Sequence, residues 1–130
     1  MFFLVFTSLF VAGCDENQPT NQVQRFGSVT GLKPDKLEYY KELHANSWPS
    51  VLKTIWKCNI QNYSIYLQQI GDDYYLFSYF EYTGDDFEAD MERMANDPDT
   101  LRWWEETDSC QLPLEEDGIW TTIEEVFQTD

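Results

Sequence analysis

The sequence predicts an α+β fold in which an antiparallel four-stranded sheet carries its helices on one face. Three observations lead there. Apolar residues alternate between period-2 and helical spacing in the order strand, helix, strand, strand, helix, strand. The short connection Gly71-Asp72-Asp73 joins two aromatic-rich runs, as in an antiparallel hairpin. Trp48-Pro49 and Asp97-Pro98 each break a helical stretch in two, because a residue before proline is pushed out of the α region.

The first strand is expected in VQRFGSVTGL, closed by Gly31 and Pro34. Pro34-Asp35 then opens a helix with Leu37, Tyr40 and His44 on one side, ending at Trp48-Pro49. In PSVLKTIWK, Val51, Leu52, Ile55 and Trp56 fall at i, i+1, i+4 and i+5, one face of a second helical piece. NYSIYLQQIGDDYYLFSYFEYTG supplies the hairpin. Along its second strand Tyr74, Leu76, Ser78, Phe80 and Tyr82 alternate with Tyr75, Phe77, Tyr79 and Glu81, so both faces are largely apolar or aromatic. Such a strand is covered on both sides: by helices on one, and by a partner subunit or a ligand on the other. Asp85 with Glu88 reads as the capping pair of a helix carrying Phe87, Met91 and Met94. Asp97-Pro98 starts another, with TLRWWEET, and a loop containing Pro113 and Gly118 leads to a last strand, IWTTIEEVFQ. The order β, α, β, β, α, β is the split βαβ arrangement of ferredoxin-like folds, in one domain over residues 23–130.

Ahead of that domain, residues 1–13 read as a signal peptide-like segment and 14–22 as a flexible tether. The apolar run is too short to span a bilayer as a helix. Val11-Ala12-Gly13-Cys14 resembles the lipobox of bacterial lipoprotein signals, which implies lipidation at Cys14, export and attachment to a bacterial membrane. A cytoplasmic location is the alternative, since no Lys or Arg precedes the apolar run.

Eight Lys and Arg against 24 Asp and Glu give a formal charge of −16, which repels a phosphate backbone and argues against nucleic acid as a partner. With 42% hydrophobic and 17% aromatic residues, the chain has enough apolar surface to fold rather than remain disordered. Cys58 and Cys110 either form a bridge in an oxidising compartment or stay as two buried thiols. Neither has metal-site spacing, and with a single histidine in the chain no metal is expected.

The candidates for chemistry are few. His44 is the side chain whose ordinary pKa lies near neutrality, so it is the natural proton carrier, and Tyr40 shares its helix face at i−4. Spacing taken alone favours a packed, structural histidine. Trp103 and Trp104 point about 100° apart on a helix, so at least one is expected at a rim or pocket, where indole suits the apolar face of a sugar. One core and one half-exposed tryptophan is an equally good account. Tyr63 and Tyr66 fall on opposite faces of their strand, so at most one of them shares a face with any site.

Together these residues resemble a known family. Tyr40-x-x-x-His44-x-x-x-Trp48-Pro49, then Asn62-Tyr63-x-Ile65-Tyr66-Leu67, then Arg102-Trp103-Trp104 and finally Glu124-Glu125-Val126-Phe127 are similar in type and order to the L-rhamnose mutarotases. The similarity runs from about Arg25 to the C-terminus, and the acidic loop CQLPLEEDG departs from the family's pattern. It implies a dimeric α+β barrel of ferredoxin-like subunits that interconverts the α and β anomers of L-rhamnose or a related 6-deoxysugar without a cofactor. It also implies His44 as catalytic residue and Tyr40, Tyr63, Trp103 and Trp104 as sugar contacts. Two other functions compete: a lipid-anchored sugar-binding module without catalysis, and a small ferredoxin-like monooxygenase.

Overall fold

The computed structural model describes residues 22–130. The signal-like segment 1–13, Cys14 and the tether up to residue 21 lie outside the described residues. Strand β1 (Gln24–Leu32) leads through a 3-10 turn (Pro34–Lys36) into helices α1 (Leu37–Ala45) and α2 (Pro49–Lys57). The hairpin of β2 (Ile60–Ile70) and β3 (Asp73–Tyr82) follows, then α3 (Phe87–Ala95), α4 (Pro98–Asp108), β4 (Gln111–Leu112) and β5 (Thr121–Ile123). The sheet is antiparallel in the order β2-β3-β1-β4, with β5 also on β1, which is the split βαβ order.

The breaks sit where proline dictates. Trp48 and Asp97 have extended backbone and Pro49 and Pro98 occupy the first turns of α2 and α4, where a missing N–H costs nothing. The Asp97 carboxylate also accepts from the Thr100 N–H at 2.9 Å. The cap of α3 is Asp86 rather than Asp85: its side chain accepts from the Ala89 N–H at 3.1 Å while its own N–H donates to the Tyr82 hydroxyl. That tie to the sheet fixes which of two adjacent aspartates begins the helix.

Two other expectations change. The last strand shrinks from residues 119–128 to Thr121–Ile123: β4 takes the Gly31–Leu32 end of the β1 edge, where Ile119 would fall opposite Gly31, and backbone pairing stops after Ile123. β4 pairs with Gly31 and Leu32, and β5 with Gly27 to Val29. Beyond Ile123 only side chains continue the contact, through an Arg25–Glu125 ion pair at 2.7 Å, and Phe127 is 80% exposed. On α2 the predicted apolar face divides: Val51 is buried and Ile55 half-buried, whereas Leu52 is exposed and Trp56 is 74% exposed. Only the i, i+4 edge of a stripe that wide fits against α4 and β2, on which this short helix packs.

Directly paired residues share a face of the sheet, so Leu32, Leu76, Tyr82 and Ile60 look the same way, as the alternation predicts. They enter two clusters with the helices. Leu32 and Leu76 pack with Tyr40 and Cys110; Ile60 and Tyr82 pack with Cys58 and Met94, against Phe87 and Met91. Cys58 and Cys110 are therefore buried, free thiols in separate clusters. The opposite sheet face carries half-buried Tyr75, Phe77 and Tyr79 and exposed Tyr66, none of which belongs to either cluster. Among the described residues no helix is long and apolar enough to cross a membrane.

Candidate active site

α1 presents Tyr40 and His44 one turn apart, and packing fixes both. Tyr40 is buried in the first cluster. The His44 ring lies over the Tyr40 ring with centroids 4.2 Å apart, and the edge of Trp103 closes its other side at 5.2 Å; Trp48 backs Trp103 at 5.3 Å. His44 Nδ1 stands 2.9 Å from the Tyr40 carbonyl oxygen. A carbonyl only accepts, so this contact assigns the neutral ring's proton to Nδ1 and leaves the Nε2 lone pair for a ligand. Burial lowers the imidazole pKa, with the Tyr40 carbonyl opposing that shift. The Tyr40 phenol moves the other way, well above the usual tyrosine range, through burial first, with Tyr63 adding and the Gln111 amide opposing.

A cavity of about 280 Å³ opens between the two clusters. That is close to the lower limit of small-molecule sites, roughly 300 Å³. All five predicted site residues, Tyr40, His44, Tyr63, Trp103 and Trp104, line it. Trp103 is buried and Trp104 partly exposed, and both residues line the cavity.

Tyr63 arrives by way of a β-bulge. Gln61 pairs with Glu81 and Ser64 with Tyr79, so Asn62 and Tyr63 both stand opposite Phe80. Asn62 adopts φ +48°, a left-handed conformation asparagine tolerates, and its amide donates to both Glu81 carboxylate oxygens at 3.0 and 2.7 Å. Ile60 and Tyr63 can then both face inward, the Tyr63 ring meeting Phe80 edge-on at 5.7 Å. Tyr63 as a whole is 45% exposed, but its enclosed hydroxyl end is raised in pKa by burial. Tyr66, as its spacing predicts, lies on the other face.

Sequence reasoning missed two polar residues that line the cavity. Gln111, on β4, is only 3% exposed; its Nε2 donates to the Tyr40 hydroxyl over a long 3.4 Å, and its Oε1 has no partner among the described residues. An unsatisfied buried acceptor costs about 1–3 kcal/mol. Asp108, at the end of α4, also lines the cavity; burial raises its pKa, and no described side chain pairs with it. Gln111 is 71 residues from Tyr40 in the chain, so no local pattern points to this contact. Among the described residues, no group of three or more His, Cys, Asp and Glu could hold a metal ion.

A neutral imidazole with one nitrogen free, phenols that stay protonated, indole walls and an amide acceptor suit a neutral, hydroxyl-rich small molecule and proton transfer near neutrality. The fold and cavity together define a ferredoxin-like α+β protein whose helix-covered sheet face encloses a cavity of small-molecule size. The L-rhamnose mutarotase family model matches residues 25–129, and the chain belongs to that family. It is 29% identical over 107 residues to an L-rhamnose mutarotase of Lactiplantibacillus plantarum, covering 82% of this chain and 98% of the relative. To the L-rhamnose mutarotase of Oceanobacillus iheyensis it is 28% identical over 109 residues, covering 83% and 100%. Among solved structures, an L-rhamnose mutarotase from Formosa agariphila superposes with a TM-score of 0.63 at 22% identity, over 82% of this chain and 99% of that one. The tetracenomycin F2 cyclase of Streptomyces glaucescens shares the fold with a TM-score of 0.56 at 12% identity, over the same shares.

Proposed function

We propose that this chain is a sugar mutarotase, an isomerase that interconverts the α and β anomers of L-rhamnose or a related 6-deoxysugar, with His44 as its acid/base. The observation that carries the reading is the His44 ring itself. Its Nδ1 is committed to the Tyr40 carbonyl, and it lines a cavity with the aromatic residues that the family resemblance implies as sugar contacts.

Mutarotation needs proton transfer and a C–O bond that opens and recloses. In the proposed cycle the cyclic sugar gives its anomeric hydroxyl proton to His44 Nε2. The C1–ring-oxygen bond breaks with its electron pair going to the ring oxygen, which takes a proton from the Tyr40 hydroxyl. The open aldehyde rotates about C1–C2. The ring oxygen then attacks the other carbonyl face, its proton returns to Tyr40, and His44 reprotonates the new anomeric oxygen. Both side chains end as they began. Burial favours this division of labour, since it keeps His44 neutral and Tyr40 protonated at pH 7. The tryptophans would stack on the apolar ring face and 6-methyl group, and a neutral sugar is indifferent to the chain's charge.

Anomer exchange followed by NMR saturation transfer tests the reading directly. Wild type is expected to accelerate exchange of L-rhamnose, and folded His44→Ala to lose on the order of 10²- to 10⁴-fold of that acceleration. Undiminished exchange by folded His44→Ala would reject His44 as the acid/base. The proposal includes a dimer formed through the aromatic outer face of the sheet.

A further inference from the structure

The orphaned amide oxygen of Gln111 is the least expected feature of the cavity. Resting on the mutarotase reading, we infer that Gln111 and Asp108 form the specificity pole of the site: two acceptors that take ring hydroxyls of a neutral sugar and so determine which sugar is used.

Gln111 is held from two sides. Backbone pairing of β4 with Leu32 sets its position, and donation from Nε2 to the Tyr40 hydroxyl sets its amide plane. Gln111 is thereby fixed in the cavity wall, and its buried Oε1 keeps a lone pair that no described residue uses. Because Nε2 spends its hydrogen on the Tyr40 oxygen, the Tyr40 O–H stays free to point at a ligand. Asp108 lies one turn beyond Trp104 on α4 and lines the same cavity. Both acceptors require a donor from the ligand, which a sugar hydroxyl supplies. A carboxylate-bearing sugar would instead meet Asp108 as a like charge, so the site favours neutral sugars over uronates. A ligand lacking the matching hydroxyl would leave Oε1 unpaired, the arrangement by which polar sites discriminate best.

The test pairs residues with substrate hydroxyls. Anomer exchange of L-rhamnose and its 2-, 3- and 4-deoxy analogues is measured with wild type, Gln111→Met and Asp108→Asn, and saturation-transfer-difference NMR gives their affinities in parallel. Wild type is expected to disfavour at least one deoxy analogue by roughly tenfold or more. Gln111→Met should bring that preference to within about twofold, as a broken residue–hydroxyl pairing requires, and a change in packing alone would weaken all four sugars together. Asp108→Asn gives a second reading should Gln111→Met fail to fold, and it should lessen the exclusion of galacturonate. An undiminished preference in both folded variants would overturn the inference. If wild type binds the sugars without speeding their exchange, the mutarotase reading falls, while flattened affinities in the variants still uphold the recognition role. No binding of any sugar overturns both.

Discussion

The Tyr40 carbonyl, 2.9 Å from Nδ1, determines what His44 can do, because it spends one nitrogen and reserves the other. Burial lowers the imidazole pKa, so the acid limb of the exchange rate is expected below the ordinary histidine value of about 6.5. Protonation removes the base, so the rate should fall as pH drops through that point. It should stay level above neutrality, since Tyr40 ionises only well beyond the usual tyrosine range. Stability follows the same sign. The unfolded chain binds His44's proton more tightly than the folded one, so this group's contribution is present above about pH 6.5 and is lost as pH falls from there toward the lowered folded value. A pH–rate profile centred above 6.5 would contradict a buried, neutral imidazole. Tyr40 and His44 were legible as a pair because i, i+4 on a helix is a local relationship. Gln111 was not, since its partner is remote in the chain and its loop reads as merely acidic.

At the scale of elements, the β2 bulge and the divided edge of β1 shape the cavity. β4 packs tightly against Gly31 of β1: a Cβ there would stand 2.6 Å from the Leu112 carbonyl oxygen, a backbone atom that cannot rotate away. Gly31→Ala is therefore expected to push β4 outward at a cost of about 1–3 kcal/mol in urea denaturation, with Gln111 drawn away from Tyr40. Unchanged stability would mean that β4 yields freely. Helix breaks were readable because proline acts on its immediate neighbour. Which aspartate caps α3 was not, because the Tyr82 hydroxyl on β3 decides it. Nor was the bulge, since period-2 alternation carries no mark of an inserted residue; Asn62 was its sole local sign, as a residue tolerant of positive φ.

The whole molecule has an aromatic sheet face outside both core clusters and a formal charge of −16. The proposed dimer would bury that face against growing charge repulsion. Light scattering should find a dimer whose dissociation constant tightens as salt rises, because screening weakens repulsion while apolar burial persists. Phe77→Glu, in the middle of the face, should shift it toward monomer. A wild-type monomer at all salt concentrations would reject the interface.

The sequence by itself determined the order of elements except for β4, which reads as part of a loop, together with the places where proline breaks the helices, the two-sided character of β3 and the Tyr40–His44 pair. Each of these follows from periodicity or from the chemistry of adjacent residues. Tertiary structure alone decided how β4 and β5 share the edge of β1, that Leu52 and Trp56 face outward, and that Cys58 and Cys110 stay apart. It also decided that buried Gln111 lines the cavity with its Oε1 unpaired. The physical reason is range: these outcomes depend on competition between surfaces distant in the chain, and a linear pattern records only what neighbours along the chain impose.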